Sequence, residues 1–241
     1  MELYINCKEV LKTFIISYED KFTMRHKIRY KSAKEKILIT QEIKDEYVKD
    51  LGTETYISEE KKRREFGVHF TSIDIFRKFI LPEIRNILHK YSWIDLFAGE
   101  GNLVLPILEI IPKDKRIEFF KEHIFLFDIQ KEMVEKAIAK AQSYGIPFKI
   151  AKENIQIRDT LQNYPDFTHL KYPPYHITNP PYLYLGYIVK HSDRNLKYFS
   201  GPNEGYQDLY QIALINDLRH NIEKMIYIIP TNFLFGFSVS N

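Results

Sequence analysis

From residue 67 onward, short unbroken apolar runs alternate with apolar residues spaced three or four apart. Buried parallel strands read as continuous apolar runs and amphipathic helices as the wider spacing. Ile75, Phe76, Phe79 and Ile80 predict a helix that Ser72 or Asp74 can cap. Trp93-Ile94-Asp95-Leu96-Phe97 predicts a strand ending in Ala98-Gly99-Glu100-Gly101-Asn102. A helix follows through Leu103, Leu105, Ile107 and Leu108, with Pro106 in or near its first turn. Residues 112–122 are dense in charge and read as a loop. Ile124 to Asp128 predicts a second strand, and Met133 to Tyr144 a helix closed by Gly145 and Pro147. Phe148-Lys149-Ile150 reads as the start of a third strand. Tyr175-His176-Ile177-Thr178 is a strand that must stop at Pro180 and Pro181, which donate no backbone hydrogen bond. Beyond a loop around 190–205, a helix from Asp208 to about His220 leads into the strand Met225 to Ile229, stopped by Pro230. Alternating strand and helix implies βαβ units, hence a mostly parallel sheet with helices on both faces.

Residues 1–66 have a different texture. They are rich in lysine, and Gly52 is their only glycine. Leu11 to Ser17 and Ile37 to Val48 set apolar residues among charges, and the reading is a mostly helical N-terminal extension over 1–66 before a catalytic domain over 67–241. The run Lys61-Lys62-Arg63-Arg64 is either a solvated helix face or a phosphate-contacting patch.

Composition narrows the chemistry. The net charge of +3 permits a nucleic-acid partner without arguing for one. Cys7 is the only cysteine, which argues against disulfides, a cysteine-based zinc site and a Cys-His nucleophile pair, and no metal site is expected. A reducing, cytoplasmic setting is the expectation, with no signal-peptide pattern and no apolar run long enough to span a bilayer.

Two segments carry chemistry. In the first, a strand ending near an acid runs into Gly99-Glu100-Gly101 and then a helix, which makes a nucleotide-binding turn. Glycines there let the backbone approach a ligand. The third glycine of the dinucleotide fingerprint is absent, its place taken by Val104, which argues against a dehydrogenase. Asp128, ending the next strand, can accept both ribose hydroxyls, a helix N-cap being its alternative role. Ile129 would then form an apolar shelf beside an adenine ring. Asn154, placed after the third strand, can reach the adenine edge or serve as an ordinary loop asparagine. The second segment is Asn179-Pro180-Pro181-Tyr182. A rigid turn offering an amide, a bare carbonyl and an aromatic face suits a planar base with an exocyclic amine.

Asp95-Leu96-Phe97-Ala98-Gly99-Glu100-Gly101, Asp128 and Asn179-Pro180-Pro181-Tyr182 together resemble the S-adenosylmethionine-dependent DNA amino-methyltransferases. Gly67-Val68-His69-Phe70-Thr71-Ser72, lying before the glycine turn, resembles the segment that covers the methionine end of the cofactor in the γ-class, TaqI-like adenine-N6 enzymes of restriction-modification systems. Asp208-Leu209-Tyr210 and Tyr227 to Leu234 resemble that class's next helix and strand, so the likeness covers about residues 65–235. His69 stands where an aromatic is expected and Ser72 where a proline is. The resemblance implies a Rossmann-like methyltransferase fold, S-adenosylmethionine as cofactor and double-stranded DNA as partner. It implies cofactor contacts from Phe70, Thr71, Asp95, Phe97, Gly99, Gly101, Asp128, Ile129, Asn154 and Asn179. It further implies a catalytic Asn179, Pro180, Pro181 and Tyr182 acting on a flipped-out adenine.

Adenine N6 is a poor nucleophile because its lone pair is delocalised into the ring. Acceptors for its two hydrogens, the Asn179 amide oxygen and the Pro180 carbonyl, favour a pyramidal nitrogen aimed at the methyl group. Tyr182 would stack on the base, returning about 1–3 kcal/mol of the flipping cost. Cytosine-C5 chemistry needs a thiolate, and Cys7 precedes every motif without a Pro-Cys context. A protein-glutamine or RNA amino-methyltransferase and a non-catalytic cofactor-binding domain of a restriction-modification complex stay open as alternatives. TaqI-like enzymes continue with two further strands and a target-recognition domain. The expectation is therefore an N-terminal portion of a longer protein, or a chain completed by a recognition subunit. Such a chain would bind the cofactor but methylate DNA poorly and without sequence choice.

Overall fold

The computed structural model describes residues 71–230 except 192, together with two earlier strands, Phe14–Tyr18 (β1) and Ile37–Ile39 (β2). The strands Ser92–Asp95 (β3), Ile124–Asp128 (β4), Ile155–Ile157 (β5), Pro174–Thr178 (β6) and Lys224–Pro230 (β7) join them in one sheet of order β2-β1-β7-β6-β3-β4-β5. Every pairing is parallel. The chain starts this core at β3, steps outward through β4 to β5, then returns to lay β6 on the other side of β3. The order therefore reverses between β3 and β6, and in open parallel sheets ligands bind beyond the carboxyl ends of strands at such a switch point.

Helices cover both faces, as the alternation of apolar runs predicts. Ile73–Ile75, Phe76–Ile80 and Leu81–Ile84 run on as one helical rod (α1) with a π-helical middle, capped by the Ser72 hydroxyl, which accepts from Asp74 N at 3.2 Å. The others are Arg116–His123 (α2), Lys131–Ser143 (α3), Phe148–Asn154 (α4), Leu185–His191 (α5) and Leu209–Arg219 (α6). The main core lies against one face of the sheet, where Trp93, Phe76, Phe120 and Ile124 are fully buried. Each such side chain contributes about 1.5–3 kcal/mol through the water it leaves. Trp93 is also tied down by Nε1, which donates to the Leu88 carbonyl at 2.9 Å. Among the described residues no helix is long and apolar enough to cross a membrane.

Several elements differ from their sequence reading. Phe14–Tyr18 and Ile37–Ile39, read as helical, are strands, and β1 lies between β2 and β7. Further strands were expected to follow β7, and the place beside it is held by β1. The rest of residues 1–70, including Lys61 to Arg64, and Thr231 to Leu234 lie outside the described residues. Residues 112–122 are not a loop: Phe119, Phe120 and His123 gather on the buried face of α2 while its charges face outward. Leu105–Glu109, with Pro106 in its first turn, is a short 3-10 helix rather than the longer helix expected. Phe148-Lys149-Ile150 opens a helix, not a strand, because Pro147 sets the extended entry (φ −60°, ψ 141°) from which α4 starts.

Candidate active site

β3 ends at Asp95 and the chain turns through Gly99 and Gly101, both with positive φ (53° and 79°). The two glycines have different work. Gly99 forms part of a cavity wall, and a Cβ there would meet nothing within 4 Å. Gly101 is buried beneath the turn, and its Cβ would sit 2.5 Å from Leu105 Cδ1 and 3.3 Å from Leu126 Cδ1. Leu105 is itself fully buried and has no room to yield. Gly101→Ala should therefore destabilise the fold by about 3 kcal/mol, left-handed strain plus overpacking, and Gly99→Ala by only about 1 kcal/mol. Urea midpoints of the two variants test this; equal losses would contradict it.

The cavity, of about 230 Å³, opens at the switch point. Its first wall is the glycine turn with Phe97, Ala98 and Leu103; its second is the end of β4, with Asp128, Ile129 and Met133. Gly99 N donates to Asp128 Oδ2 and Gln130 N to Asp128 Oδ1, both at 2.8 Å, so this carboxylate fastens the two strand ends together. Burial raises its pKa against the pull of those two bonds. Ile129 presents an apolar side chain, 47% exposed, to the cavity.

Asp95 is buried. Its Oδ1 accepts from Phe97 N at 3.0 Å and from the Thr178 hydroxyl at 2.6 Å. Its Oδ2 has no hydrogen-bond partner among the described residues, although Asp95 walls the cavity. Burial pushes its pKa up to about 7, opposed by the bonds from Thr178 and Phe97.

The third wall carries Asn179 and Pro181, just past the end of β6. Asn179 Nδ2 donates to Thr71 Oγ1 at 2.8 Å, a contact across 108 residues of sequence. The Thr71 carbonyl in turn accepts from Asn102 Nδ2 at 2.8 Å, and Asn102 Oδ1 accepts from Lys140. Thr71 thus links the glycine turn to the tetrapeptide. Pro180 is buried. Tyr182, expected as a stacking face, is not part of the cavity wall; its ring lies edge-on to Tyr210 at 6.0 Å. Its hydroxyl lies between Asn179 Oδ1 and the Ile228 carbonyl, and its single proton goes to one of them at a time. Asp208 braces the segment that follows. It caps α6 in a capping box with Gln211, and its Oδ1 accepts from Leu183 N at 3.0 Å.

Asn154 does not reach the cavity. It ends α4, where its Nδ2 donates to the carbonyls of Phe120, Lys121 and Ile124 at 3.1, 3.1 and 2.9 Å. The position sought for it, beyond the third strand, is held by Arg158, Asp159 and Thr160, all of which line the cavity. Asp159 Oδ2 accepts from the Tyr198 hydroxyl at 2.9 Å and lies 3.3 Å from Lys197 Nζ. Those two partners sit on the helical turns Asp193–Phe199, which roof the cavity. Asp159 was legible as a third acid following a third strand, had that strand been placed correctly. Phe70 lies outside the described residues.

A reversed-order parallel sheet with its cavity at the carboxyl ends, helices on both faces and a glycine turn after the first core strand define an α/β, Rossmann-like methyltransferase fold. The solved DrdV–DNA complex shares this fold with a TM-score of 0.51 at 17% identity, over 79% of this chain and 23% of that one. A modification subunit of a putative type I restriction enzyme from Vibrio vulnificus YJ016 aligns at 14% identity over 76% of this chain and 37% of that one, TM-score 0.40. A nuclease-deletion mutant of the type ISP restriction-modification enzyme LlaGI, in complex with a DNA substrate mimic, aligns at 15% identity over 61% and 16%, also TM-score 0.40. The chain thus spans well under half the length of each of these proteins. No protein-family model matches the chain, and no curated protein sequence does.

Proposed function

We propose that the chain transfers a methyl group from S-adenosylmethionine to adenine N6 in DNA. The observation that carries this reading is one cavity walled by the glycine turn and Asp128 on one side and by Asn179 and Pro181 on the other. Three features fit the cofactor: an acid at the end of β4 beside an apolar shelf at Ile129, a glycine turn open to the cavity at Gly99, and an unpartnered buried oxygen at Asp95 Oδ2. When bound, S-adenosylmethionine supplies an electrophilic methyl on a sulfonium. Asp128 would hold the ribose hydroxyls, Ile129 the adenine face, and Asp159 the adenine edge in place of Asn154.

The residues of this chain then act on the incoming base. The Asn179 amide is oriented by Thr71, and its oxygen accepts from Tyr182. In the proposed arrangement the Asn179 amide oxygen and the Pro180 carbonyl would accept the two N6 hydrogens, favouring a pyramidal nitrogen. As the N6 lone pair bonds to the methyl carbon, the sulfonium S–CH3 bond would break with its electrons going to sulfur, leaving a neutral thioether, and the surplus N6 proton would pass to solvent. Tyr182 serves in this arrangement by holding Asn179 through its hydroxyl.

The direct test incubates the purified chain with a labelled methyl donor and, in parallel, duplex DNA, RNA and a glutamine peptide. Formation of N6-methyladenine in the DNA arm is expected. Label in RNA or peptide alone would move the substrate elsewhere.

A pH dependence follows from Asp95. An exposed aspartate loses its proton near about pH 4, whereas this one keeps it to about 7. Its contribution to folding stability is therefore full below about pH 4 and fades as pH rises through 7. A ligand offering a cation or N–H donor to Oδ2 favours the carboxylate and drives that proton off. Cofactor affinity should then rise about tenfold from about pH 6 to about pH 8 and level off above, with the dependence abolished in Asp95→Asn. Calorimetry in buffers of different ionisation enthalpy reads both affinity and proton release. A flat profile in the native chain would contradict the assignment.

A further inference from the structure

We propose that Arg194 binds the DNA phosphate beside the nucleotide whose base enters the cavity. The proposal rests on the reading of the cavity as an adenine-N6 site and adds the part of the chain that grips the backbone.

The cations around the cavity are not equivalent. Lys197 lies 3.3 Å from Asp159 Oδ2 and donates to Gln162 Oε1 at 2.9 Å, so a carboxylate already offsets its charge. Arg158 holds its guanidinium 6.0 Å from the centre of the Phe127 ring. Lys136, beside the glycine turn, pairs with Glu100 at 3.3 Å and Glu132 at 3.4 Å. Arg194, like Arg158, has no carboxylate partner among the described residues, but it is exposed where Arg158 is half-buried, and it walls the same cavity as Asn179 and Pro181. A residue that is both exposed and part of the wall stands at the mouth.

The mouth is where a phosphate must be. The interior is walled by apolar groups such as Phe97, Leu103, Met133, Leu161 and Leu209, and burying an unpaired phosphodiester among them would be prohibitive. A nucleotide entering base-first leaves its charged backbone at the rim. The rim that carries Arg194 is also held in place. Tyr198 and Phe199, on the same helical turns, are buried with Leu183, Ile188, Leu209 and Ile212, and the Tyr198 hydroxyl is bonded to Asp159. A planar fork on a braced turn is suited to a phosphate, which it can engage through two parallel N–H bonds. The competing anion is the cofactor's own carboxylate.

The test uses the full chain and a hairpin duplex containing one mismatched adenine, which costs less to flip than a paired one. A second probe is identical except that the two phosphates flanking that adenine are neutral methylphosphonates. Binding is followed by fluorescence anisotropy across a salt series. Arg194→Ala should weaken binding of the first probe about tenfold and reduce the slope of log affinity against log salt by about 0.9, one phosphate's worth. It should change nothing on the methylphosphonate probe, and Arg194→Lys should recover part of the loss. Equal loss on both probes, loss on neither, or weakened S-adenosylmethionine binding by calorimetry would each overturn the proposal. Methylation of the first probe by the unaltered chain is measured alongside. Absence of N6-methyladenine with the Arg194 coupling intact would fail the catalytic reading and leave the phosphate contact standing; methylation without the coupling would do the reverse.

Discussion

Asn179→Ala is expected to lower methyl transfer by about 10²–10³-fold at saturating DNA, with S-adenosylmethionine affinity changed less than about threefold. The expectation follows from what the amide does in the fold. Its nitrogen donates to Thr71 and its oxygen accepts from Tyr182, so the orientation of this cavity-wall amide is fixed before any base arrives. A preorganised acceptor of that kind acts on charge that develops during transfer, which is why its loss appears in the rate rather than in cofactor binding. Alanine also strands Thr71 Oγ1, at a cost to stability of about 1 kcal/mol that a urea titration separates from catalysis. Thr71→Val is the useful companion. It removes the bond that orients the amide but keeps the amide itself, so its rate loss should fall between native and Asn179→Ala. Full activity in Asn179→Ala would sink the mechanism.

The parts of this site that were legible in the sequence are those where backbone chemistry is unusual. Positive φ at Gly99 and Gly101 and the paired prolines after Asn179 are local events, and residues that alone tolerate or impose them mark the ends of β3 and β6 wherever the rest of the chain lies. Elements defined by tertiary placement were not legible. Phe148-Lys149-Ile150 alternates as a strand would, yet only Ala151 of α4 is buried, and what decides for helix is the start at Pro147 and the amide of Asn154 reaching three carbonyls around α2. With β5 at Ile155–Ile157 rather than at Phe148, the acid that follows the third core strand and lines the cavity is Asp159, and Asn154 lies before that strand. Phe14–Tyr18 failed for the opposite reason: its strand character comes from partners on both sides, one of them more than 200 residues downstream in β7. The buried polar group behind β6 left only a faint trace, an aspartate among the apolar residues of a helix.

That aspartate, Asp217, carries the largest stability effect expected of any single substitution here. It is fully buried on α6 and collects three bonds: the Tyr164 hydroxyl at 2.7 Å on Oδ1, the Tyr227 hydroxyl at 2.6 Å and His176 Nδ1 at 2.8 Å on Oδ2. A carboxylate only accepts, so the His176 proton sits on Nδ1. The partner residues come from β6, β7 and the loop after β5, and His176 lies three residues before Asn179. Burial, together with the neighbouring carboxylate, raises the pKa of both tyrosines, so each remains a donor. Asp217→Ala removes all three acceptor bonds at once and leaves a cavity beside the fully buried His176 and Tyr227. The loss should be about 3–5 kcal/mol, the magnitude seen when one partner of a buried polar cluster is deleted. Asp217→Asn keeps an oxygen for two of the donors, and a tyrosine hydroxyl can turn to accept from the new amide, so it should cost less than half as much. Tyr227→Phe, which removes one donor and strands no charge of its own, should be milder still. Denaturant midpoints order the three. If Asp217→Ala and Tyr227→Phe cost the same, the aspartate is not the hub of the cluster, and the anchoring of β6 beneath the tetrapeptide must come from the apolar packing of Ile177 and Tyr175 instead.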